Sequence, residues 1–526
     1  MSEMNTAGSS RTTRPNHSVQ TRGLTASVLL MTVALSGIMR ADDEPSEPLL
    51  LVDFEIATAV KLTPNRVSIQ EVTSEGGKAL QIDARAQPSW PGVTITPATG
   101  KWNLSGFFAV EMDVINPQDE SVRVLLSVNN PGADGTKNNN TESVTVRPHG
   151  TATLQVPFGS WHGETNHPID QSNIVSVSVL LDRPKKSHRF IVDNIRAVPY
   201  GSSVLDQAIS DQFFKSLTPA LGRGVNLGNM LEAPHEGAWG VRLEDRYFDL
   251  IHAAGFNSVR IPVRWSAHAA DEAPYTIEPA FFDRVEWAIQ QAMSQQLYAV
   301  LNMHHYDEIF EDPHEHHDRF LALWKQIAER FKDCPPSLYF ELLNEPHANL
   351  DADTWNELAT EGIALVRKTN PTRKIVVGPP DWNGVNAMQS LVLPENDRNL
   401  VVTFHYYSPF QFTHQGASWT GKQSNQWLGT TWTGTPAERQ AVIADLDKAL
   451  AWSLRHRRPI FLGEFGAYSK GDLESRVRWT RFVADEAVKR RMSFAYWEFC
   501  AGFGIYDSRK SSWLEPLKEA LLPKAK

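Results

Sequence analysis

From Leu221 onward, eight short apolar runs alternate with longer segments of helical periodicity. The runs are "GRGVNLGN", "SVRIPV", "YAVLNMHH", "LYFELLNEP", "KIVVGPP", "VVTFHYY", "PIFLGEFG" and "FAYWEF". Strands of this kind, each followed by a helix, are buried on both faces and need a parallel sheet covered by its own helices. Eight of them in about 300 residues point to a closed (β/α)8 TIM barrel. The intervening segments support this. In "RFLALWKQIAERF", Phe320, Leu323, Trp324, Ile327 and Phe331 fall on one helical face. In "TPAE", Thr435 reads as an N-cap, Pro436 as the first turn and Glu438 as the partner in a capping box. A doubly wound sheet is the alternative, but no Gly-rich phosphate fingerprint follows the first run.

Upstream the pattern has period two. From "LLLVDFE" to "FIVDNIRAV", short alternating runs are separated by Gly, Asn and Pro, with no helical stretch before about Pro199. Such spacing predicts an all-β sandwich, jelly-roll-like, over residues 48–200. The barrel is then expected over 204–526. At the N-terminus, Arg11, Arg14 and Arg22 precede an apolar stretch from Leu24 to Ile38, then Ala41 and acids. That layout predicts a signal peptide over 1–41, and so a secreted, periplasmic or cell-surface protein. The stretch is short for a membrane span.

In a barrel of this kind, catalytic groups stand at the C-terminal ends of the strands. Those ends carry Asn229, Arg260, His304 with His305, Asn344 with Glu345, His405 with Tyr407, Glu464, and Trp497 with Glu498. The fifth run, ending in "GPPDW", carries no such signal. Glu345 and Glu464 follow the fourth and seventh strands, which face each other across a closed barrel. Two apposed acids suit glycoside hydrolysis: one protonates the leaving oxygen, the other attacks or activates water. Arg260 is expected to hold Glu464 ionised, while Glu345 needs a raised pKa. Asn344 is placed to bond a sugar hydroxyl, Tyr407 to orient the nucleophile, and Trp497 to offer a stacking floor. His304 and His405 fit a polar surround. His304 and His305 are expected to alternate across the strand, so that only one points fully into the pocket and the other is a buried structural histidine.

"RGVNLGN", "SVRIPVRW", "LNMHHYD", "LNEPH", "TFHYYSPF", "LGEFGAY" and "YWEFC", in this order, resemble glycoside hydrolase family 5 from about Gly222 onward. The likeness is to the branch acting on β-1,4-glucans and often β-1,4-mannans. It implies Glu345 as acid/base, Glu464 as nucleophile, double displacement and net retention. It also implies substrate-binding roles for Asn229, Glu232, His304, His305, Asn344, His405, Tyr407, His414, Trp419 and Trp497. No metal or organic cofactor is implied. The expected activity is that of a secreted endo-β-1,4-glucanase, with mannan or glucomannan second. The alternatives are a β-1,4-mannanase, an exo-acting β-glucosidase and a non-catalytic polysaccharide-binding protein.

The partner is therefore a polysaccharide or oligosaccharide, and no protein partner is implied. A net charge of −10 gives no excess of cations for nucleic acid. Two cysteines, Cys334 and Cys500, form neither a disulfide framework nor a metal spacing. "DPHEHHD", with His314 to His317, lacks the helical spacing of a zinc site and reads as a solvated loop. In the long insertion after the sixth strand, Trp419 is the expected sugar platform, while Trp427 and Trp432 are expected to pack the loop down. Trp90, Trp102 and Trp161 in the sandwich read equally as a stacking row or as core.

Overall fold

The eight runs close into a parallel barrel in chain order: β1 (Arg223–Asn226), β2 (Ser258–Ile261), β3 (Tyr298–Asn302), β4 (Leu338–Glu341), β5 (Ile375–Val377), β6 (Leu400–Tyr406), β7 (Ile460–Phe465) and β8 (Ser493–Tyr496). β8 pairs with β1, so no edge is left open. The (β/α)8 expectation holds. This computed structural model describes residues 47–52, 54–55, 60–74, 77–158, 169–201, 205 and 219–523. The signal peptide expected over 1–41 and Trp161 lie outside them. Among the described residues, no helix is long and apolar enough to cross a membrane.

Side chains alternate across each strand. One face packs outward against the helices, as Ala299 and Leu301 do. On the inner face Val300, Tyr339, Val376, Val401, Phe461 and Ala495 form a small apolar cluster with Leu221. Nearer the C-terminal strand ends, the same face carries Asn226, Arg260, Asn302, Glu341, His405 and Glu464, all buried. The bore is thus apolar below and polar above.

One register break places Glu464 in that polar layer. β6 and β7 pair Phe404 with Leu462, then His405 with Glu464, so Gly463 is an extra residue on β7. A Cβ at Gly463 would lie 2.5 Å from Thr403 Oγ1 and 3.0 Å from His405 Nε2. Glycine therefore permits the bulge, and the bulge sets Glu464 beside His405.

The helices follow the sequence signals. His317–Arg330 buries Phe320, Leu323, Trp324 and Ile327, each contributing about 1.5–3 kcal/mol of apolar burial. Pro436–His456 starts at the expected capping box: Glu438 N donates to Thr435 Oγ1 at 3.3 Å, and Thr435 N to Glu438 Oε2 at 2.7 Å. Thr435→Ala is expected to cost about 1 kcal/mol. A lower urea midpoint with an unchanged slope would show it, and an unmoved midpoint would refute it.

Upstream lie two antiparallel sheets. One runs Val67–Ser74, Gly77–Ala84, His188–Pro199, Phe107–Ile115, Thr151–Pro157, with Leu49–Val52 also on His188–Pro199; the other runs Val60–Asn65, Gly92–Pro97, Ser176–Leu180, Val122–Asn129, Asn139–Val146. Ile82, Val110, Val124, Val177 and Phe190 lie in the core they share. The sandwich meets the barrel's helical flank. Ser121 Oγ donates to Asp353 Oδ1 at 2.8 Å, and Glu142 lies near Lys448, which bonds Asp445 and Asn386. Burial there pushes the Glu142 carboxyl up to about 7 despite Lys448. Trp102 packs against the sandwich core, while Trp90 is exposed with Arg183 5.7 Å over its ring.

Candidate active site

Arg260 organises the polar layer. Fully buried on β2, it donates from Nε and Nη2 to the two oxygens of Glu341, at 2.7 Å each. Nη1 reaches Glu464 Oε1 at 2.6 Å and Asn226 Oδ1 at 2.9 Å, and Nη2 reaches Asn344 Oδ1 at 2.8 Å. Burial works against this guanidinium's charge, but Glu341 and Glu464 together hold its pKa well above the ordinary value. Arg260 does reach Glu464 as expected, but its bidentate face belongs to Glu341, which the strand-end reading overlooked. Arg260 fixes Asn344 through Oδ1, and among the described residues Asn344 Nδ2 has no acceptor.

The two acids sit in unlike surroundings. Glu345, 20% exposed, meets His405 Nδ1 at 2.6 Å. Burial pushes its carboxyl up to about 7, with Arg260 and His347 opposing and Glu341 adding to the rise. Burial also raises Glu464, but His405 and Arg260 pull against it, and Tyr407 OH donates to Glu464 Oε2 at 2.9 Å. Glu464 is therefore not held low by Arg260 as expected: burial outweighs the bonds from Arg260 and Tyr407, and its carboxyl lies above the ordinary value. Burial presses His405 down to about 4, so the ring is neutral. Asn383 Nδ2 stands 3.3 Å from His405 Nε2, leaving the proton on Nδ1, directed at Glu345. One carboxylate oxygen each of Glu345 and Glu464 and one ring nitrogen of His405 all lie within 4.8 Å of one another. Carboxyl groups this close suit direct attack by one of them; activating an intervening water needs about 6.5–9.5 Å.

Around the acids the chain leaves its strands through left-handed backbone. Asn229, His305, Glu345 and Trp382 have φ of 66°, 49°, 46° and 61°, a region that costs non-glycine residues about 1–3 kcal/mol and clusters at functional sites. This alters the expected histidine alternation. β3 ends at Asn302, and the rings of His304 and His305 meet edge to face at 4.5 Å, so the two lie together. His304 stacks on Trp497 at 5.7 Å. Gly228 makes room for that indole, since a Cβ there would lie 2.9 Å from it.

Trp419 is 60% exposed, with Tyr468 at 4.9 Å and Phe503 at 6.2 Å. His414, pushed down to about 3 by burial, stacks on Phe410 and meets Trp419 edge-on at 6.4 Å. Trp427 packs on Phe410 and Trp432 is buried. Two exposed tryptophans were not anticipated. Trp382, from the uninformative fifth-strand loop, stacks on His347 at 3.4 Å, and Trp239 meets His305 edge-on at 5.4 Å.

Two acids do not face the open end. Glu232, expected to bind substrate, is fully buried and receives the backbone N–H groups of Asn229 and Met230. It positions Asn229 from behind. Burial pushes it up to about 8. Glu498 similarly receives the N–H groups of Cys500, Ala501 and Phe503 at 2.7–2.9 Å. In "DPHEHHD", His316 bonds Tyr306, and His317 bonds Asp318 and Glu361.

Residues 220–502 match the family described as Cellulase (glycosyl hydrolase family 5). Endoglucanase H of Acetivibrio thermocellus is 40% identical over 278 residues, which are 53% of this chain and 29% of that protein. This chain thus spans less than a third of that relative's length. Among solved structures, Thermotoga maritima Cel5A in complex with cellobiose is 50% identical with a TM-score of 0.57, covering 59% of this chain and 99% of that one. Its complex with mannotriose gives the same values.

Proposed function

Since the chain belongs to glycosyl hydrolase family 5, we propose that it is an exported endo-β-1,4-glucanase working by double displacement with net retention. The pair Glu345 and Glu464, within 4.8 Å and unlike in surroundings, carries this reading. Glu464 attacks the anomeric carbon while protonated Glu345 gives its proton to the departing oxygen. In the second half Glu345 takes a proton from water, which displaces Glu464 and frees the sugar. Asn344 Nδ2 is the uncommitted donor for a hydroxyl beside the reacting carbon. Exposed Trp239, Trp382 and Trp419 support a cleft that accepts internal positions of a chain. The resemblance to Cel5A, seen with both cellobiose and mannotriose, supports β-1,4-mannan as a secondary substrate. Export is supported by the basic, apolar and small-residue order of the first 41 residues.

The test is a product time course with cello- and manno-oligosaccharides of matched length. Internal cleavage of the glucan series is expected. Single sugars released from one end would make the enzyme exo-acting, and no cleavage of either series would overturn the reading. The pH profile follows from the two acids. Glu345 must be protonated, so kcat/KM is expected to fall as pH rises through about 7. An alkaline limb that Glu345→Gln leaves in place would assign that titration elsewhere. Trp419→Ala removes an exposed platform contributing about 1–2 kcal/mol. KM for long chains should rise roughly tenfold with kcat little changed; an unaltered KM would remove Trp419 from the binding surface.

A further inference from the structure

A second concave site lies away from the carboxylate pair. It is a cavity of about 590 Å³ where the sandwich's Arg147 faces barrel segments around Leu391–Arg398 and Trp452–Arg458. Both barrel segments precede their strands, β6 and β7, so the cavity lies toward the N-terminal end of the barrel, opposite Glu345 and Glu464.

Its charge reverses that of the chain. Arg147, Arg398, Arg455, Arg457, Arg458 and His456 line it against one acid, Glu395, in a protein of net charge −10. Only Arg458 is fully engaged, donating to the Asp397 and Pro394 carbonyls at 2.6 Å each. Arg398 makes one long bond, 3.4 Å, to the His456 carbonyl. Among the described residues, Arg147, Arg455 and Arg457 have no carboxylate partner. His456 registers the resulting field: burial, then Arg147, Arg455 and Arg458, press it down to about 4.

A basic last turn has an ordinary explanation, because the carbonyls at a helix C-terminus favour cations. Arg455 and His456 do end the helix Pro436–His456. That explanation does not reach Arg147, from the sandwich, or Arg398, from the loop before β6. A second observation is independent of charge. Trp452 is 2% exposed, lines the same cavity, and among the described residues its Nε1–H has no acceptor. A buried donor left unpaired is unfavourable until an acceptor arrives.

We propose that this cavity binds an oxyanion-bearing ligand of sugar size. Its phosphate, sulfate or carboxylate group would meet Arg147, Arg455 and Arg457, whose guanidinium forks match such groups, and would bring an acceptor to the Trp452 N–H. Leu391 and Leu393 supply an apolar wall for the body that carries the charge. The volume falls within the range of small-molecule sites, about 300–1,000 Å³, and exceeds what a bare ion needs.

The experiment is calorimetric titration of the full chain at low ionic strength with inorganic phosphate and, separately, with digalacturonate. Saturable binding of at least one anion is expected, weakening as salt is added. Tighter binding of digalacturonate would support the sugar-sized ligand; equal binding of phosphate would reduce the cavity to a bare-oxyanion site and overturn it. The double variant Arg455→Ala/Arg457→Ala, both positions exposed, should weaken binding about tenfold or more and leave oligosaccharide hydrolysis unchanged. Arg147→Ala, on the other wall, should weaken it independently, with unchanged hydrolysis again reporting an intact fold. The proposal is overturned if neither anion binds, or if these variants bind as tightly as the parent.

Discussion

Glu464→Ala is expected to lower kcat on cello-oligosaccharides by about 10⁴-fold or more, the scale seen when a nucleophile is removed. Binding should survive, because the stacking groups and Asn344 stay in place. The shortened side chain also leaves room for a small anion. Azide added to this variant, with a substrate whose leaving group needs no protonation, should restore turnover and give a glycosyl azide of inverted configuration. The same treatment of Glu345→Ala should give the retained configuration, since Glu464 still makes the first displacement. Equal products from both variants would dissolve the assignment of roles, and unchanged turnover in Glu464→Ala would remove that residue from the chemistry.

The second large effect is on stability. Arg260→Met would leave Glu341 and Glu464 buried without their shared cation. Breaking a buried pair from one side typically costs about 3–5 kcal/mol. Here two carboxylates and Asn344 lose a donor together, so the upper end is expected. Arg260→Lys should fall between, because an ammonium cannot bond both Glu341 oxygens in one plane while reaching Glu464. Combining Arg260→Met with Glu341→Met should cost less than the sum of the single changes, since neither partner is then left alone. Urea unfolding of the four proteins measures this cycle. Additive costs would show that the Arg260–Glu341 pair is not the unit described.

How far the site was legible depended on where each residue leaves its strand. The barrel, the capping box at Thr435 and the pair Glu345 with Glu464 follow from periodicity, cap chemistry and position at strand ends. Alternation, however, fixes side-chain direction only while the backbone stays extended. At Asn229, His305, Glu345 and Trp382 the chain turns through positive φ, and direction beyond that point depends on loop contacts that no local pattern records. Hence His304 and His305 lie together, and Trp382 emerges from a loop that looked empty. Glu232 and Glu498 failed for another reason. An acid capping buried N–H groups and an acid facing substrate occupy the same kind of position, and only the partner atoms distinguish them. Glu341 was overlooked because, inside an apolar run, it reads as part of the strand; its inward parity and the buried Arg260 were the available signal.

The contact between Glu142 and the Lys448 region has a consequence for synthesis. Lys448 emerges about 300 residues after Glu142, which at roughly 5–20 residues per second is on the order of 15–60 s of translation. During that interval the sandwich presents its docking strand to water with Glu142 hydrated and ionised. When the helix Pro436–His456 arrives, the carboxyl must either lose that hydration beside Lys448 or take up a proton. The docked state therefore holds that proton more tightly than the open sandwich does, and its stability should fall as pH rises toward about 7.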